Sequence, residues 1–563
     1  MKYIRIPISV LAAMSLGLAA VAQDAPAESL EQRVDALVAL QHAPGQPGGA
    51  AAVITSEAIL LKKYYGLMNV EKQADIAPDT LFDLASVAKT FTAFAVMMLE
   101  EEGRLNLDDD IRDYLPELPE YAHPVPIRRL MQHTSGLPST DVLRLLGGIP
   151  LDERWTQRDE IGLVKRYPHL NFRPNTRSLY SNAGYSLLAA VIERISGVGF
   201  PEFMTSNVFE PLDMTATFVN HENVEDIEKL ATGYGKDGED FAEISSFNDL
   251  SYGGGNVLTT LDDMIRWARN ILRPAVGRGD FPHLISRPYN TLENGELIIT
   301  TYGFYVRDHK GLKMVEHSGG VPGFRTQFMI IPEKDIAVIL MFNNESINTR
   351  RLATGIADAI FEGTLKDDPP VERVAVEPDI GKIKVFAGRY LMPDGQELDF
   401  VVDDGVFRLV LPGGGTFELF AESANAFFLK AFDAQCSFTV SEDGTVNEMT
   451  WRQRGEVVRA ERIERIRPLG EGGLPEYAGD YRLTELDAGY PVVFENGRLE
   501  LRLPETFKKY LGFDRVELRH VNGDKFYTGP LGMLEFTRDG EGRISGFVLF
   551  DIGRVQNIRF AVL

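Results

Sequence analysis

The sequence predicts an α/β domain, with helices and an all-helical subdomain flanking an antiparallel sheet, followed by two small antiparallel β-barrel domains. Strand-like runs occur at residues 50–65 and 327–342, whereas residues 105–275 are rich in helical segments and Pro-containing loops. This order predicts a sheet assembled from both ends of the segment. Beyond residue 370, short alternating strands separated by Asp-Gly and Asn-Gly turns are typical of antiparallel barrels.

An internal repeat and two shifts in composition set the expected domain boundaries. Residues 386–390 (Phe-Ala-Gly-Arg-Tyr) and 477–481 (Tyr-Ala-Gly-Asp-Tyr) begin the same strand pattern twice, 91 residues apart. The polar, proline-containing run at residues 366–370 and the Gly-rich run at residues 469–473 read as links. The expected units are an α/β domain at residues 23–368 and β-barrels at residues 380–468 and 474–563.

The N-terminus predicts a cleavable targeting segment. Lys2 and Arg5 precede an apolar run that reaches Leu18 and ends in Ala-Val-Ala at residues 20–22, the small-x-small pattern of a signal peptide. The run is short for the ~20 residues that a bilayer requires, and no later stretch is long and apolar enough to span. We therefore expect a signal peptide at residues 1–22, cleavage after Ala22, and an exported protein, periplasmic or secreted, without membrane insertion.

The composition argues against a nucleic-acid partner and excludes disulfides within the chain. The chain has 58 Lys and Arg against 82 Asp and Glu, a formal net charge of −24. Nucleic-acid binding requires clustered cations that neutralise phosphates, so no nucleic-acid partner is expected. The single cysteine, Cys436, excludes disulfides within the chain.

The motif with the most chemical content is Ser86-Val87-Ala88-Lys89, the only Ser-x-x-Lys in the chain. One helical turn brings residues three apart onto one face, so the Lys89 amine can reach the Ser86 hydroxyl as a base reaches a nucleophile. The apolar run from Phe91 to Leu99 predicts a buried helix behind them. A nucleophile at the N-terminal end of such a helix lies where the helix dipole favours negative charge.

Alone, this motif would favour a solvated helix face, but two further motifs follow it in order. Tyr180-Ser181-Asn182 is the only Tyr-x-Asn, and His317-Ser318-Gly319 is the only Lys- or His-hydroxyl-Gly triplet. Three single occurrences in one order favour a catalytic site over chance.

These motifs resemble those of the serine β-lactamase and penicillin-binding-protein superfamily, in its class C, DD-peptidase, D-aminopeptidase and esterase branch. The resemblance spans roughly residues 30–365, and the two C-terminal barrels resemble the lipocalin-like domains of D-aminopeptidases. The chain departs from the family pattern at His317, a position where β-lactamases carry Lys. The stretches that carry the resemblance are Phe82–Thr90, Met131–Pro138, Tyr180–Tyr185 and His317–Phe324.

The resemblance implies a role for each motif residue. Ser86 would attack a carbonyl carbon, Lys89 would accept the hydroxyl proton, and Tyr180 would pass a proton to the leaving group. The oxyanion would be held by the backbone N–H groups of Ser86 and Gly320. The implied site is catalytic at Ser86, Lys89, Tyr180 and His317 and substrate-binding at Asn182, Ser318, Gly319 and Gly320.

His317 constrains specificity because histidine, unlike lysine, loses its charge near pH 6.5. We therefore expect weak carboxylate recognition at this position, and activity that rises between about pH 6 and 8 as Lys89 and His317 lose protons. Arg325 could bind a substrate carboxylate instead, although pairing with a neighbouring acid is the favoured interpretation.

The sequence contains no Gly-x-Ser-x-Gly, His-Glu-x-x-His or calcium-loop motif, so no metal and no cofactor are expected. The favoured function is an exported serine hydrolase acting on ester or amide bonds of short peptides, D-aminoacyl amides or small esters. One alternative is a β-lactamase or DD-carboxypeptidase acting on penicillins or peptidoglycan stem peptides, which would make cell-wall fragments its substrate. Another is a non-catalytic peptidoglycan- or penicillin-binding protein.

Overall fold

The computed structural model describes residues 28–563, apart from residues 222–226, 228, 239, 245–247, 288–289, 367–372, 374, 378–379, 393–396, 412–414, 433, 442, 454–455 and 464–472. The expected signal peptide and most of both links lie outside the described residues. Among the described residues, no helix combines the length and the apolar character needed to cross a membrane.

The central sheet joins the two ends of the first domain, as the sequence predicts. Gly49–Ile54 pairs antiparallel with Ile336–Phe342, a strand almost 300 residues later in the chain. Ala50 and Ala52 face one hydrophobic core, whereas Ala51 and Val53 face another, so both faces of the sheet are covered. Within the described residues, its six strands are, in spatial order, Tyr305–His309, Leu312–Val321, Phe324–Ile331, Ile336–Phe342, Gly49–Ile54 and Ile59–Tyr65.

Two helices, Leu30–Ala39 and Thr349–Ile360, cover one face of this sheet, and the other face packs on the helical subdomain. At its centre lies the Lys89–Glu101 helix, in which ten of thirteen residues are buried. Phe91 of this helix stacks on Trp267 at 4.2 Å between ring centroids. The other helices of this domain are Ile111–Tyr114, Ile127–Met131, Thr140–Leu146, Gln157–Arg166, Asn182–Ser196, Phe200–Met204, Leu261–Leu272 and Phe281–Ile285.

Short strands brace the loops of this domain. Val257–Thr259 pairs with both Phe82–Asp83 and Phe218–Val219, which fixes the segment just before Ser86. The remaining pairs are Leu67–Asn69 with Ala74–Asp75, Trp155–Thr156 with Asp249–Leu250, Tyr234–Asp237 with Asp240–Glu243, and Asn290–Thr291 with Leu297–Ile298.

The first C-terminal unit is a closed antiparallel barrel, as predicted. The first strand pairs with the last at Arg389 and Ile463, which closes the ladder, and a short helix, Ile380–Ile383, precedes it. In the part of the chain that the structure describes, its eight strands are Gly388–Leu391, Glu397–Asp403, Val406–Val410, Thr416–Ala421, Ala426–Leu429, Ala434–Val440, Val446–Gln453 and Glu456–Ile463.

The second C-terminal unit is an antiparallel sheet of nine strands within the described ranges, with a helix at Glu505–Leu511. Within the described residues, an isolated bridge rather than a strand ladder joins Gly479, just before Tyr481–Leu483, to Val492 of the last strand through two backbone hydrogen bonds of 2.9 Å. The unit is therefore a half-barrel where the sequence predicts a barrel. The strands in spatial order are Ala488–Gly489, Tyr481–Leu483, Val555–Val562, Ile544–Ile552, Met533–Arg538, Lys525–Tyr527, Arg515–Asn522, Arg498–Arg502 and Val492–Glu495.

The sequence repeat has a structural counterpart in both units. The hydroxyl of Tyr390 donates to the carbonyl of Phe386 at 3.0 Å, and that of Tyr481 donates to the carbonyl of Tyr477 at 2.7 Å. Each tyrosine therefore ties its first strand to the residue four positions earlier. The paired turns also match, since Asp404 and Asn496 both adopt positive φ ahead of a glycine.

The half-barrel packs directly on the α/β domain. Its core is continuous with Leu143, Leu146 and Trp155 of the helical subdomain. The Tyr490 hydroxyl donates to the carbonyl of Leu146 at 2.6 Å across this contact. The chain's last unit is therefore placed beside the loops that follow residue 133, where the motif residues converge.

Candidate active site

Ser86 lies in a tight helical turn, Ala85–Ala88, which leads directly into the Lys89–Glu101 helix. Ala85 has φ of 47°, a left-handed conformation that is unfavourable for a residue with a side chain. The buried carboxylate of Asp83 accepts a hydrogen bond from the Ala85 N–H at 2.7 Å and holds this turn. Strained backbone of this kind clusters at functional sites.

The three residues of the predicted chemistry meet at the Ser86 hydroxyl. The Lys89 Nζ lies 3.1 Å from the Ser86 Oγ, and the Tyr180 hydroxyl donates to the same oxygen at 2.7 Å. An amine and a phenol thus contact one alcohol from two sides. This convergence is the geometry that nucleophilic catalysis by serine requires.

Lys89 is fully buried, and two further oxygens hold its amine. The Nζ donates to the Asn182 Oδ1 at 2.9 Å and to the carbonyl of Gly254 at 2.5 Å. Burial lowers the pKa of Lys89 to about 7, the carboxylate of Asp141 acts in the opposite direction, and the charge of Arg554 lowers it further. A large fraction of Lys89 is therefore a neutral amine at neutral pH.

Tyr180 is arranged to remain a protonated phenol. Burial raises the pKa of Tyr180 well above its usual value. His133 packs against its ring at 4.3 Å between centroids and accepts a hydrogen bond at Nδ1 from the Ser181 N–H at 3.2 Å. Burial holds the pKa of His133 well below its usual range, so an uncharged imidazole positions the phenol.

His317 lies where the central sheet opens. The strand pairing on its outer side ends at Glu316, opposite Tyr305, so residues 317–321 have no strand neighbour on that side within the described part of the sheet. The imidazole is buried and donates from Nδ1 to the carbonyl of Ser318 at 2.7 Å. Burial and the nearby Lys89 lower the pKa of His317 to about 3. The expectation that His317 loses a proton between pH 6 and 8 is therefore wrong.

Gly319 allows this strand to approach the turn of Ser86. A β-carbon at this position would lie 2.1 Å from the Thr326 Oγ1 and 2.3 Å from the carbonyl of Leu84, which forbids any side chain. Ser318 has a different setting, because its hydroxyl donates to the Gln327 Oε1 at 2.7 Å and lines a separate surface hollow. Gly320 borders the cavity that contains Ser86.

A cavity of about 560 Å³ opens in front of Ser86. Its wall is rich in acids. Among the described residues that line it, the only basic side chain is that of Arg144, which is itself buried and lies 3.6 Å from the Asp249 carboxylate. Asp141 accepts a hydrogen bond from the Asn182 amide at 3.2 Å. The acidic lining residues are Asp83, Asp141, Asp152, Glu160 and Asp249.

Two residues from the half-barrel reach this site, and no motif in the sequence indicates them. Tyr510 lines the cavity and accepts hydrogen bonds from the backbone N–H groups of Leu151 and Asp152 at 2.8 and 3.1 Å. The guanidinium carbon of Arg554 lies 4.6 Å from the ring centroid of Tyr180. Both lie more than 300 positions beyond Tyr180 in the chain, so only the packing of the half-barrel brings them here.

Neighbouring groups of the protein hold the guanidinium of Arg325. Its guanidinium donates to the carbonyls of Val321 and Phe324, both at 2.8 Å, and lies 3.5 Å from the Glu345 carboxylate. The favoured interpretation of this residue, an ion pair with a neighbouring acid, is confirmed.

Two protein-family models match this chain. A family model described as Beta-lactamase matches residues 16–361, which is more than half of the chain. A domain of unknown function matches residues 372–464, which include the closed barrel.

Individual relatives show the same likeness. A penicillin-binding protein of Bacillus subtilis (strain 168) is 28% identical over 421 residues, covering 71% of this chain and 91% of that protein. A D-aminopeptidase of Gluconobacter oxydans (strain 621H) is 27% identical over 324 residues, covering 57% of this chain and 60% of that protein. The chain thus spans less than two thirds of the length of the D-aminopeptidase.

Solved structures share the fold. A chain of the octameric penicillin-binding protein homologue from Pyrococcus abyssi aligns with a TM-score of 0.53 and 24% identity, covering 77% of this chain and 98% of that one. The D-amino acid amidase of Ochrobactrum anthropi SV3 aligns with a TM-score of 0.51 and 20% identity, covering 59% of this chain and 98% of that one.

Proposed function

The chain belongs to the beta-lactamase family and is a serine hydrolase, and from this premise we propose that Ser86 is its nucleophile and forms a covalent acyl-enzyme. The observation that carries the proposal is the pair of contacts at the Ser86 Oγ, 3.1 Å from the Lys89 amine and 2.7 Å from the Tyr180 hydroxyl. A binding protein needs no buried amine in contact with a half-buried serine hydroxyl, so the arrangement favours catalysis.

In the acylation step, the Ser86 Oγ bonds to the substrate carbonyl carbon while its proton passes to the neutral Nζ of Lys89. The tetrahedral intermediate collapses by breaking the bond to the leaving group, which takes a proton through the Tyr180 hydroxyl. In deacylation, the oxygen of a water molecule bonds to the acyl carbon while its proton passes to Lys89. The ester bond to the Ser86 Oγ then breaks, which returns a proton to Ser86 and releases the carboxylic acid. Lys89 suits the base role because its pKa is lowered to about 7, whereas the raised pKa of Tyr180 keeps the phenol protonated.

Backbone groups of the turn and the open strand edge supply the oxyanion site in this proposal. The N–H groups of Ser86 and Gly320 would donate to the developing negative charge. Gly319 supports the proposal, since it is what lets the strand lie against the Ser86 turn. Asn182 holds the amine of Lys89 and borders the cavity, where it would contact the substrate. His317 would be an uncharged side chain next to Lys89.

The substrates that we propose are short peptides, D-aminoacyl amides and small esters. The cavity favours such compounds because carboxylates of Asp141 and Asp249 on its wall would attract the ammonium group of an aminoacyl substrate. The likeness to a D-aminopeptidase supports the same class.

A second candidate function is the binding or hydrolysis of penicillins, as in the β-lactamase and DD-carboxypeptidase alternative. It is favoured by the likeness to a penicillin-binding protein, of which the chain covers 91%. Under this candidate, fragments of the cell wall become the physiological substrate.

The experiment measures hydrolysis of D-aminoacyl p-nitroanilides, p-nitrophenyl esters and nitrocefin. The proteins compared are the wild type, Ser86→Ala and the control Ser196→Ala, whose serine is the last residue of the Asn182–Ser196 helix. Labelling with a fluorophosphonate accompanies the assay. We expect an adduct on Ser86 and hydrolysis in the wild type and the control only. Hydrolysis that survives in Ser86→Ala would refute the assignment, and a preference for nitrocefin would select the second candidate.

We also propose export through a signal peptide at residues 1–22 and a division into units at residues 23–368, 380–468 and 474–563. N-terminal sequencing of the protein recovered from the periplasm or medium should begin at Gln23. An intact residue 1 in the exported protein would contradict the first proposal, and proteolytic cleavage inside rather than between the units would contradict the second.

A further inference from the structure

Arg554 lies at the tip of a hairpin that reaches the active site from the half-barrel. The strands Ile544–Ile552 and Val555–Val562 form the hairpin, and the turn between them consists of Gly553 and Arg554. The guanidinium carbon lies 4.6 Å from the ring centroid of Tyr180, which in turn bonds the Ser86 hydroxyl. Although Arg554 follows Ser86 by almost five hundred positions in the chain, only the Tyr180 side chain lies between the two contacts that link them.

The α/β domain holds this turn in a fixed position. The carbonyl of Arg554 accepts hydrogen bonds from the Ser139 N–H at 3.1 Å and from the Asn171 side-chain amide at 3.0 Å. The Asn171 side chain also accepts from the Gln556 N–H at 2.8 Å, and Arg177 donates to the Gln556 side chain at 3.0 Å. Because both sides of the turn are anchored, the guanidinium is presented to the site by a rigid element.

Within the described part of the chain, the charge of the Arg554 side chain is unpaired. Among the described residues, the Arg554 guanidinium forms no ion pair and no hydrogen bond, and the residue is exposed beside Tyr180. Its guanidinium carbon lies over the Tyr180 ring, a contact that uses none of its N–H donors. A guanidinium with free donors matches the two oxygens of a carboxylate.

The remaining cations near the site do not compete for this role. His317, at the position where β-lactamases carry Lys, is uncharged at neutral pH, and Arg325 is held by Glu345 and two carbonyls. Lys89 is buried and committed to the Ser86, Asn182 and Gly254 oxygens. Arg554 is therefore the accessible cation beside the reacting groups within the described part of the site.

We propose that Arg554 forms a carboxylate subsite on the leaving-group side of the scissile bond, supplied to the active site by the half-barrel. The side follows from Tyr180, because the Arg554 guanidinium lies over the ring of the residue to which we assign proton transfer to the leaving group. The preferred substrate class is then a peptide, or an ester or thioester analogue, whose leaving group carries a free carboxylate. This inference rests on the proposed function.

The test uses two thioesters, benzoylglycyl thioglycolate and its methyl ester at the thioglycolate carboxyl, with released thiol measured by a colorimetric reagent. The measured quantity is the ratio of kcat/KM for the acid to kcat/KM for the ester. Comparing this ratio between proteins cancels the different intrinsic reactivity of the two compounds. The proteins are the wild type, Arg554→Gln, Arg554→Lys and a control, Arg559→Gln. Arg559 is exposed on the strand Val555–Val562, which follows the turn.

We expect the ratio to fall about tenfold in Arg554→Gln, the size of a charge-assisted hydrogen bond in a partly exposed site. Arg554→Lys should retain part of the ratio because it keeps the charge but loses the paired donors. Arg559→Gln should match the wild type. An unchanged ratio in Arg554→Gln overturns the inference.

A binding measurement keeps the test independent of turnover. Calorimetric titration of both compounds into Ser86→Ala, with and without Arg554→Gln, should show the acid binding more tightly only when Arg554 is present. Equal binding in both backgrounds overturns the carboxylate subsite. Failure of the fluorophosphonate to label Ser86 would instead refute the proposed hydrolase mechanism, so the two failures are distinguishable.

Discussion

The pH dependence of acylation follows directly from the environment of Lys89. If the neutral amine is the base, the rate is proportional to the deprotonated fraction of a group whose pKa is lowered to about 7. That fraction rises about tenfold between pH 6 and pH 8 and then levels off, whereas a lysine of ordinary pKa near 10.4 would give about a hundredfold rise with no plateau. The shape of the profile thus separates a buried base from an exposed one.

The assay measures kcat/KM for a p-nitrophenyl ester from pH 5 to 9.5 at constant ionic strength, with the Ser86→Ala rate subtracted at each pH. We expect one ionisation, because His317 stays neutral throughout this range. Two variants give opposite shifts: Asp141→Asn should lower the midpoint, and Arg554→Gln should raise it, since these charges act on Lys89 in opposite directions. A flat profile, or one still rising at pH 9.5, would refute the reasoning.

Three further predictions concern individual side chains. Lys89→Met should abolish hydrolysis yet raise the free energy of unfolding by about 2 kcal/mol at pH 7, because burying a lysine whose pKa is 10.4 in the unfolded chain costs more than its hydrogen bonds return. This gain in stability should shrink as the pH approaches 10, and chemical denaturation measures the free energy of unfolding. Tyr180→Phe should lower kcat for a p-nitroanilide by about 10²–10⁴ but lower ester hydrolysis less, since p-nitrophenolate leaves without a proton; equal losses on both substrates would count against a proton-donor role. Gly319→Ala should reduce activity and stability, by about 1–3 kcal/mol, because its β-carbon would lie 2.1 Å from the Thr326 hydroxyl, whereas Gly540→Ala, with nothing within 4 Å, should be neutral in thermal unfolding.

Local sequence patterns were sufficient to predict much of this molecule. The order of strands and helices predicts a sheet built from both ends of the first domain, because pairing of residues 49–54 with 336–342 needs only that both segments be apolar strands. The repeated tyrosines, Tyr390 and Tyr481, make the same contact in both C-terminal units. Helical spacing alone places Lys89 beside Ser86, and that contact is present at 3.1 Å.

The parts that the sequence does not reveal depend on packing between distant elements. The last sheet stays a half-barrel because an isolated bridge between Gly479 and Val492 stands where the first unit has a strand ladder, and composition does not indicate this difference. The neutral state of His317 follows from complete burial beside Lys89. Arg554 enters the site only because the half-barrel shares a core with the helical subdomain, and an arginine in a hairpin turn has no distinguishing pattern.

Trapping of the covalent intermediate tests the central claim most directly. The wild-type protein is quenched in acid during turnover of p-nitrophenyl acetate, and the intact chain and its proteolytic peptides are weighed by mass spectrometry. We predict a mass increase of one acetyl group on the peptide that contains Ser86, absent from Ser86→Ala and from Lys89→Met. An acetyl group on another residue, or turnover without any acylated protein, would contradict the account.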